Sequence, residues 1–145
     1  MEKFVADRML GKLTRYLRML GYDVVYPEKE QDLHLIHIAR KEGRILLTRD
    51  THFSGRNDIV VLLIESDSVE EQLKQVVEEL GLKSRSTNRC TLCNGELSEV
   101  DRREAKDYVP EYIYLSHEKF WVCRSCGHYY WPGSHWENIK AKLKI

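Results

Sequence analysis

Four cysteines stand in two close pairs, and their spacing is the clearest chemical signal in the sequence. Cys90 and Cys93 form one C-x-x-C pair, and Cys123 and Cys126 form the other. Each pair can present two sulfurs from one tight turn, so together they match the tetrahedral coordination of a structural zinc ion. Two disulfides or free thiols are the alternative, but the opening residues do not form a secretory signal. We therefore predict one structural zinc ion that leaves no coordination position open for catalysis.

Three aspartates form a second and more dispersed set of chemical candidates. Asp7 and Asp50 each follow an apolar segment, and Asp32 lies where a helix is predicted to begin. If these places converge, the carboxylates repel one another unless a cation binds, and Mg²⁺ or Mn²⁺ suits such oxygen ligands. A cation there lowers the pKa of a bound water and neutralises charge at a phosphate. The alternative is that Asp7 and Asp32 are helix N-caps and Asp50 is a turn residue.

The elements predicted for the first half would bring these aspartates together. Apolar runs predict strands at 4–6, 22–26, 44–48 and 59–64, the last of them buried on both faces. Helical periodicity predicts helices at 10–20, 32–42 and 69–80, with Leu33 facing inward and a capping box formed by Ser68 and Glu71. This alternation favours a parallel sheet covered by helices. Such sheets carry their functional sites at the carboxyl ends of the strands.

The first predicted helix is apolar on one side and basic on the other. Its basic side begins next to Asp7 and contains Arg8, Lys12, Arg15 and Arg18. Arg8, Lys12 and Arg15, together with Arg49 beside Asp50, are the candidate residues for binding phosphate groups. The same side could instead be an ordinary solvated surface. No glycine-rich phosphate loop is present, which argues against nucleotide-cofactor chemistry.

Composition limits the classes of function that fit. The chain has 145 residues, and its 23 basic and 23 acidic side chains give no net charge. This balance argues against a protein held to nucleic acid by bulk charge alone. No segment approaches the roughly 20 apolar residues of a membrane span, so we expect a cytoplasmic protein without a membrane partner. The sequence leaves open whether the chain forms a homodimer or binds another protein.

The second half combines the cysteine pairs with many aromatic residues. Strands are predicted around 112–115 and 120–122. The aromatic residues near the second cysteine pair are Phe120, Trp121, Tyr129, Tyr130, Trp131 and Trp136. In a unit this small, such rings more often form a core or a docking surface than a base-stacking platform. We therefore predict that they pack, with base stacking as the alternative.

Several short motifs together make the chain resemble the Mut-seven C-terminal RNase domain family. The segments FVAD, LGKL and LRMLGYD at 4–7, 10–13 and 17–23 are similar to its opening, and GRILLTRD at 43–50 looks like its second signature. The cysteine pairs, Val109-Pro110 and YWPGSHW at 130–136 resemble its zinc ribbon and tail. The resemblance implies a PIN-like nuclease domain at 1–84 and a zinc ribbon at 85–145, with the C-terminal helix packing on the ribbon.

The resemblance also implies an activity and a site. Asp7, Asp32 and Asp50 would be the catalytic residues and the ligands of Mg²⁺ or Mn²⁺, with Asp58 as the nearest candidate for a fourth acid. The leading prediction is an endoribonuclease that hydrolyses RNA with water activated by the bound metal. The alternative is a non-catalytic RNA-binding module that uses the basic helix and the aromatic residues, and an interaction scaffold is a third hypothesis.

Overall fold

The computed structural model describes residues 2–27 and 31–145, and the first part of the chain folds as a parallel sheet covered by helices. Its strands are β1 (Phe4–Ala6), β2 (Val24–Val25), β3 (Ile45–Thr48) and β4 (Val61–Leu63), in the order β2-β1-β3-β4. Its helices are α1 (Gly11–Met19), α2 (Asp32–Glu42) and α3 (Val69–Leu80). The predicted α/β class with a parallel sheet is confirmed. None of the described helices is long and apolar enough to cross a membrane.

Each face of this sheet has its own hydrophobic core. Because side chains alternate along a strand, Phe4 and Ala6 face α1 and α3, whereas Val5 faces α2. Helices α2 and α3 end at Gly43 and Gly81, whose φ angles of 64° and 63° lie in the left-handed region that glycine adopts readily. The two cores hold the strand ends in place, and therefore also the residues that follow them.

Several local predictions in this part are wrong. Helix α2 is capped by Gln31 and not by Asp32, and Leu33 in its first turn is 78% exposed, because the buried side of the helix begins at Leu35. Ser68 caps α3 without a hydrogen bond from its side chain, so the capping box is not formed. Strand β4 is only half-buried, because it lies at an edge of the sheet.

The second part of the chain is built on a small antiparallel sheet. Strands β5 (Leu97–Val100), β6 (Phe120–Cys123) and β7 (Tyr129–Tyr130) pair in that order. The connection from β5 to β6 contains the short helices α4 (Arg102–Ala105) and α5 (Glu111–Ser116). The prediction of a strand around 112–115 is therefore wrong. The carbonyl of Pro110 accepts hydrogen bonds from the amides of Ile113 and Tyr114, which starts α5 as a helix.

The C-terminal helix α6 (Ser134–Leu143) packs on the α/β part of the molecule. Its buried Trp136 and Ile139 belong to the same core as α1 and α3, and the Trp136 ring stacks on Tyr16 with 5.3 Å between the ring centroids. The sequence predicted that this helix packs on the zinc ribbon. Its buried apolar residues instead recur at helical spacing and pack against α1 and α3.

Candidate active site and metal centre

The four cysteines converge on one point. All their sulfurs lie within 4.8 Å of one another, with Sγ–Sγ distances of 3.5 Å for Cys90–Cys126 and 3.4 Å for Cys93–Cys123. A tetrahedral ion with Zn–S bonds of about 2.3 Å would place its sulfurs roughly 3.8 Å apart. All four are free thiols, so the disulfide alternative is not observed. This cluster could hold a metal ion such as zinc.

Two tight turns present the sulfurs. In the first turn the Cys90 amide donates to the carbonyl of Gly95, and the Asn94 amide donates to the carbonyl of Cys90. Asn94 has a φ of 71°. A Cβ atom on Gly95 would lie 3.2 Å from the Cys123 sulfur and 3.3 Å from the Cys93 sulfur. The backbone here is therefore shaped around the sulfurs, and a side chain at Gly95 would crowd them.

The first cysteine turn is hydrogen-bonded directly to β2, the outermost strand of the parallel sheet, and to the residue before it. Asn94 donates to Asp23 Oδ1 at 2.7 Å and accepts from the Val24 amide at 3.1 Å. Arg18 donates to the carbonyls of Val24 and Thr91, each at 2.8 Å. Arg18 is only 6% exposed, so it is not part of the accessible basic side that was predicted for α1. The docked cysteine turn covers that part of α1.

Asp7 and Asp50 lie at the carboxyl ends of neighbouring strands and are linked through Thr48. The Thr48 hydroxyl donates to Asp7 Oδ2 at 2.8 Å and accepts from the Asp50 amide at 3.0 Å. Asp7 Oδ1 also accepts from the Met9 amide at 2.7 Å, and Asp50 Oδ1 accepts from the His52 amide at 2.9 Å. Both aspartates thus cap short 3₁₀ helices as well, so the capping interpretation describes some of the same contacts.

Asp32 approaches this edge from the start of α2. Its Oδ2 lies 3.7 Å from Nε2 of His52, whose own amide donates to Asp50. The three predicted aspartates are therefore neighbours through Thr48 and His52. In the described part of the chain, however, only the cysteines form a group of three or more candidate ligands whose ligand atoms all lie within 4.8 Å. The carboxylates share an edge without meeting at one point.

Asp58 lies at the opposite end of the strands, where β4 begins. It precedes β4, whereas Asp7 and Asp50 follow their strands, and it forms ion pairs with Arg40 and Arg56. Hydrogen bonds from Arg56 and Arg40 hold the pKa of the Asp58 carboxyl well below its usual range. The acidic residues that do follow β4 are Glu65 and Asp67, which the sequence analysis missed. Glu65 carries the same signal as Asp7, an acid directly after an apolar run, and Asp67 lies two residues further along.

A basic groove adjoins the acidic edge. It has a volume of ≈ 560 Å³ and lies between the beginnings of α1 and α3, where Arg8, Lys12, Arg15 and Asp67 line it. Arg49 lies at the same edge of the sheet and donates to the carbonyl of Glu65 at 3.4 Å. Three of the four predicted phosphate-binding residues thus face one groove, and Arg49 lies next to Asp50.

Comparison with known protein families gives one match. The model of the Mut7-C RNAse domain matches residues 2–143, which is nearly the whole chain. Comparisons with curated proteins and with solved structures found no match. The matched range includes the acidic edge, the basic groove and the four cysteines. The chain therefore belongs to the Mut7-C RNAse domain family.

Proposed function

We propose that the protein is a divalent-metal-dependent endoribonuclease whose active site is the carboxyl edge of the parallel sheet. Membership in the family implies a ribonuclease-type function. One observation supports the proposed metal site at this edge. Asp7 and Asp50 share the Thr48 hydroxyl at the ends of adjacent strands, and Asp32 reaches the same edge through His52. Adjacent carboxylates at this edge are a donor set that suits Mg²⁺ or Mn²⁺.

The three carboxylates have acceptor capacity left for a cation. A carboxylate has about four lone-pair sites, and the hydrogen bonds of Asp7 and Asp50 use only some of them. Asp7, Asp32 and Asp50 would hold the ion or ions. A bound Mg²⁺ or Mn²⁺ supplies a lowered pKa for water and compensates charge at the phosphate. Asp67, which follows β4, is our candidate for the fourth acid in place of Asp58.

The basic groove would hold the RNA backbone beside these acids. Lys12 and Arg15 are exposed on α1 and line the groove together with Arg8. Cationic side chains at such positions bind phosphates without reading sequence. Arg49 would contact the phosphate nearest to Asp50. The cysteine cluster would bind zinc and maintain the fold, at a distance from the reaction.

The test is an RNA cleavage assay with a matched pair of aspartate variants. Asp50→Asn removes a proposed ligand, whereas Asp58→Asn changes an exposed aspartate at the opposite end of the strands. We expect wild type and Asp58→Asn to cleave single-stranded or structured RNA only when Mn²⁺ or Mg²⁺ is added, and Asp50→Asn to lose cleavage by at least a hundredfold. Full cleavage by a folded Asp50→Asn protein would contradict the proposal. Tight RNA binding without cleavage under any divalent ion would instead support the non-catalytic alternative.

A further inference from the structure

A pocket lined by aromatic rings lies where the cysteine-containing unit, α1 and α6 meet. It has a volume of ≈ 100 Å³, and Trp121, Tyr130, Trp131 and Trp136 form much of its wall. Trp121 and Tyr130 are directly opposite each other on β6 and β7, so their side chains share one face of the small sheet. The acidic edge and the basic groove do not include any of these rings.

Each ring is fixed by packing behind the pocket wall. Trp121 and Tyr130 pack with the buried cysteines, and the Tyr130 hydroxyl lies 3.0 Å from Cys90 Sγ. Trp136 stacks on Tyr16, and Trp131 packs in a separate cluster with Phe120. The prediction that the aromatic residues pack is therefore correct. Rings from three hydrophobic clusters therefore meet at one pocket. Because the rings are already held in place, binding of a ligand costs little conformational entropy of the side chains.

The rim of the pocket carries polar and cationic groups. Asn88 is exposed, and its side chain offers both a hydrogen-bond donor and an acceptor. Arg89, Lys140 and the acidic Glu137 also line the pocket. Arg89 lies 3.6 Å from the carboxylate of Glu96, and Lys140 lies 4.0 Å from that of Glu137. Aromatic walls suit the face of a nucleobase, an amide suits its edge, and cations suit the adjoining phosphates.

Helix α1 connects this pocket to the acidic edge. Asp7 precedes the helix, whereas Met19 at its end lines the pocket. The nine residues from Gly11 to Met19 rise about 12 Å at 1.5 Å per residue. The exposed Lys12 and Arg15 lie on the same helix between the two ends. The helix thus carries two exposed cationic side chains between the pocket and the acidic edge.

From this arrangement we infer that the aromatic pocket binds one unpaired nucleobase of a single-stranded RNA substrate, and that it does so at the end of α1 away from the acidic edge. This inference rests on the proposed ribonuclease function. Capture of a base there fixes the distance along the strand between the bound base and the phosphate at Asp7 and Asp50. The pocket would thus favour single-stranded substrate, because a base held in a duplex cannot enter it.

Two variants of one ring test the inference through binding. Trp131→Leu removes the aromatic face and Trp131→Phe keeps one, and fluorescence anisotropy would measure the affinity for a labelled single-stranded RNA without added Mg²⁺ or Mn²⁺. Inorganic polyphosphate serves as a polyanion without bases. We expect roughly tenfold weaker RNA binding for Trp131→Leu, near-normal binding for Trp131→Phe, and equal polyphosphate binding for all three proteins. Unchanged RNA affinity in Trp131→Leu, or an equal loss for polyphosphate, overturns the inference.

A substitution of the exposed Asn88 at the rim provides a second test that does not disturb the core. Asn88→Ala should weaken RNA binding about threefold while zinc content and thermal unfolding stay as in wild type, and unchanged RNA affinity overturns the inference here too. If these substitutions weaken the binding of a proline-rich peptide but leave the affinity for RNA unchanged, the inference is also overturned. Cleavage is scored separately with Asp50→Asn. If cleavage depends on Asp50 but RNA affinity does not depend on Trp131, the nuclease proposal stands and the inference about the pocket fails. If RNA affinity depends on Trp131 but no Mn²⁺-dependent cleavage occurs, the pocket binds RNA and the nuclease proposal fails.

Discussion

At the scale of single residues, the buried hydroxyl of Thr48 connects the parts of the proposed active site. Thr48 is fully buried, donates to Asp7 Oδ2 and accepts from the Asp50 amide. By donating a hydrogen bond to Asp7, the hydroxyl orients that carboxylate. By accepting one from the Asp50 amide, it fixes the turn that carries Asp50. The sequence predicted Asp7 and Asp50 because each follows an apolar run. It did not single out Thr48, which looked like the last residue of an ordinary strand.

A hydroxyl deletion at this position should affect both stability and catalysis. Thr48→Val keeps the shape of the side chain but leaves the Asp50 amide and one Asp7 oxygen without this partner, which we expect to cost about 1–3 kcal/mol of unfolding free energy. RNA cleavage should fall by at least tenfold, since the carboxylates lose their orientation. Urea unfolding and cleavage rates would measure the two effects, with Thr48→Ser as the control that keeps the hydroxyl. Wild-type cleavage by Thr48→Val would show that Thr48 does not position the acids.

Asp23 should titrate below the usual range for an aspartate. Burial raises the pKa of its carboxyl, but hydrogen bonds from Arg44 and Asn94 more than offset that effect and lower it beneath the ordinary value of 3.8. A lowered folded-state pKa means that the ionised form contributes stability above pH about 4 and that this contribution is lost as the pH falls through the folded-state pKa. A carboxyl-carbon NMR titration should show the low pKa in wild type and a higher one in Asn94→Ala. Equal values in the two proteins would refute this assignment.

At the scale of elements, local patterns predicted what local interactions control. Strands β1 and β3 and helices α2 and α3 follow from apolar runs and from the glycines at the helix ends. The residues around 112–115 were predicted to form a strand, and Tyr and Ile do favour strands, but the hydrogen bonds to the carbonyl of Pro110 make the segment a helix. Arg18 was predicted to lie on the basic side of the first helix, because a helical projection does not show the cysteine turn that docks on it. A long-range contact decided the case of Arg18, whereas hydrogen bonds within the segment itself decided the case of α5.

The first cysteine turn should not tolerate a side chain at Gly95. An added Cβ would lie 3.2 Å and 3.3 Å from two sulfurs, which is tighter than ordinary van der Waals contact, so Gly95→Ala should push the sulfurs apart. We expect at least a tenfold loss of zinc affinity, measured by competition with a chromophoric chelator. Gly133→Ala is the matched control, because a Cβ there meets nothing within 4 Å. Equal zinc affinities for the two variants would mean that the turn relaxes without cost to the site.

At the scale of the whole molecule, the two parts of the chain share structural elements. Trp136 and Ile139 of α6 complete the core formed by β1, α1 and α3, although they lie beyond the cysteines in sequence. Asn94 beside the second cysteine binds the edge strand at Val24 and the carboxylate of Asp23. The predicted boundary between residues 84 and 85 separates two patterns in the sequence. The contacts in the structure nevertheless couple the stability of the two parts.

This coupling predicts that residues 1–84 are unstable by themselves. The fragment would lack Trp136 and Ile139, and loss of a large buried side chain typically costs about 3–5 kcal/mol, a substantial share of the roughly 5–15 kcal/mol that stabilises a domain. Urea unfolding should therefore show the fragment to be at least about 3 kcal/mol less stable than the full chain, with full-length Trp136→Ala falling between them. Removal of zinc from the full chain should also lower its midpoint, because Asn94 would no longer be held against Asp23. A fragment as stable as the full chain would instead establish residues 1–84 as an autonomous domain, to which α6 and the cysteine-containing unit are merely attached.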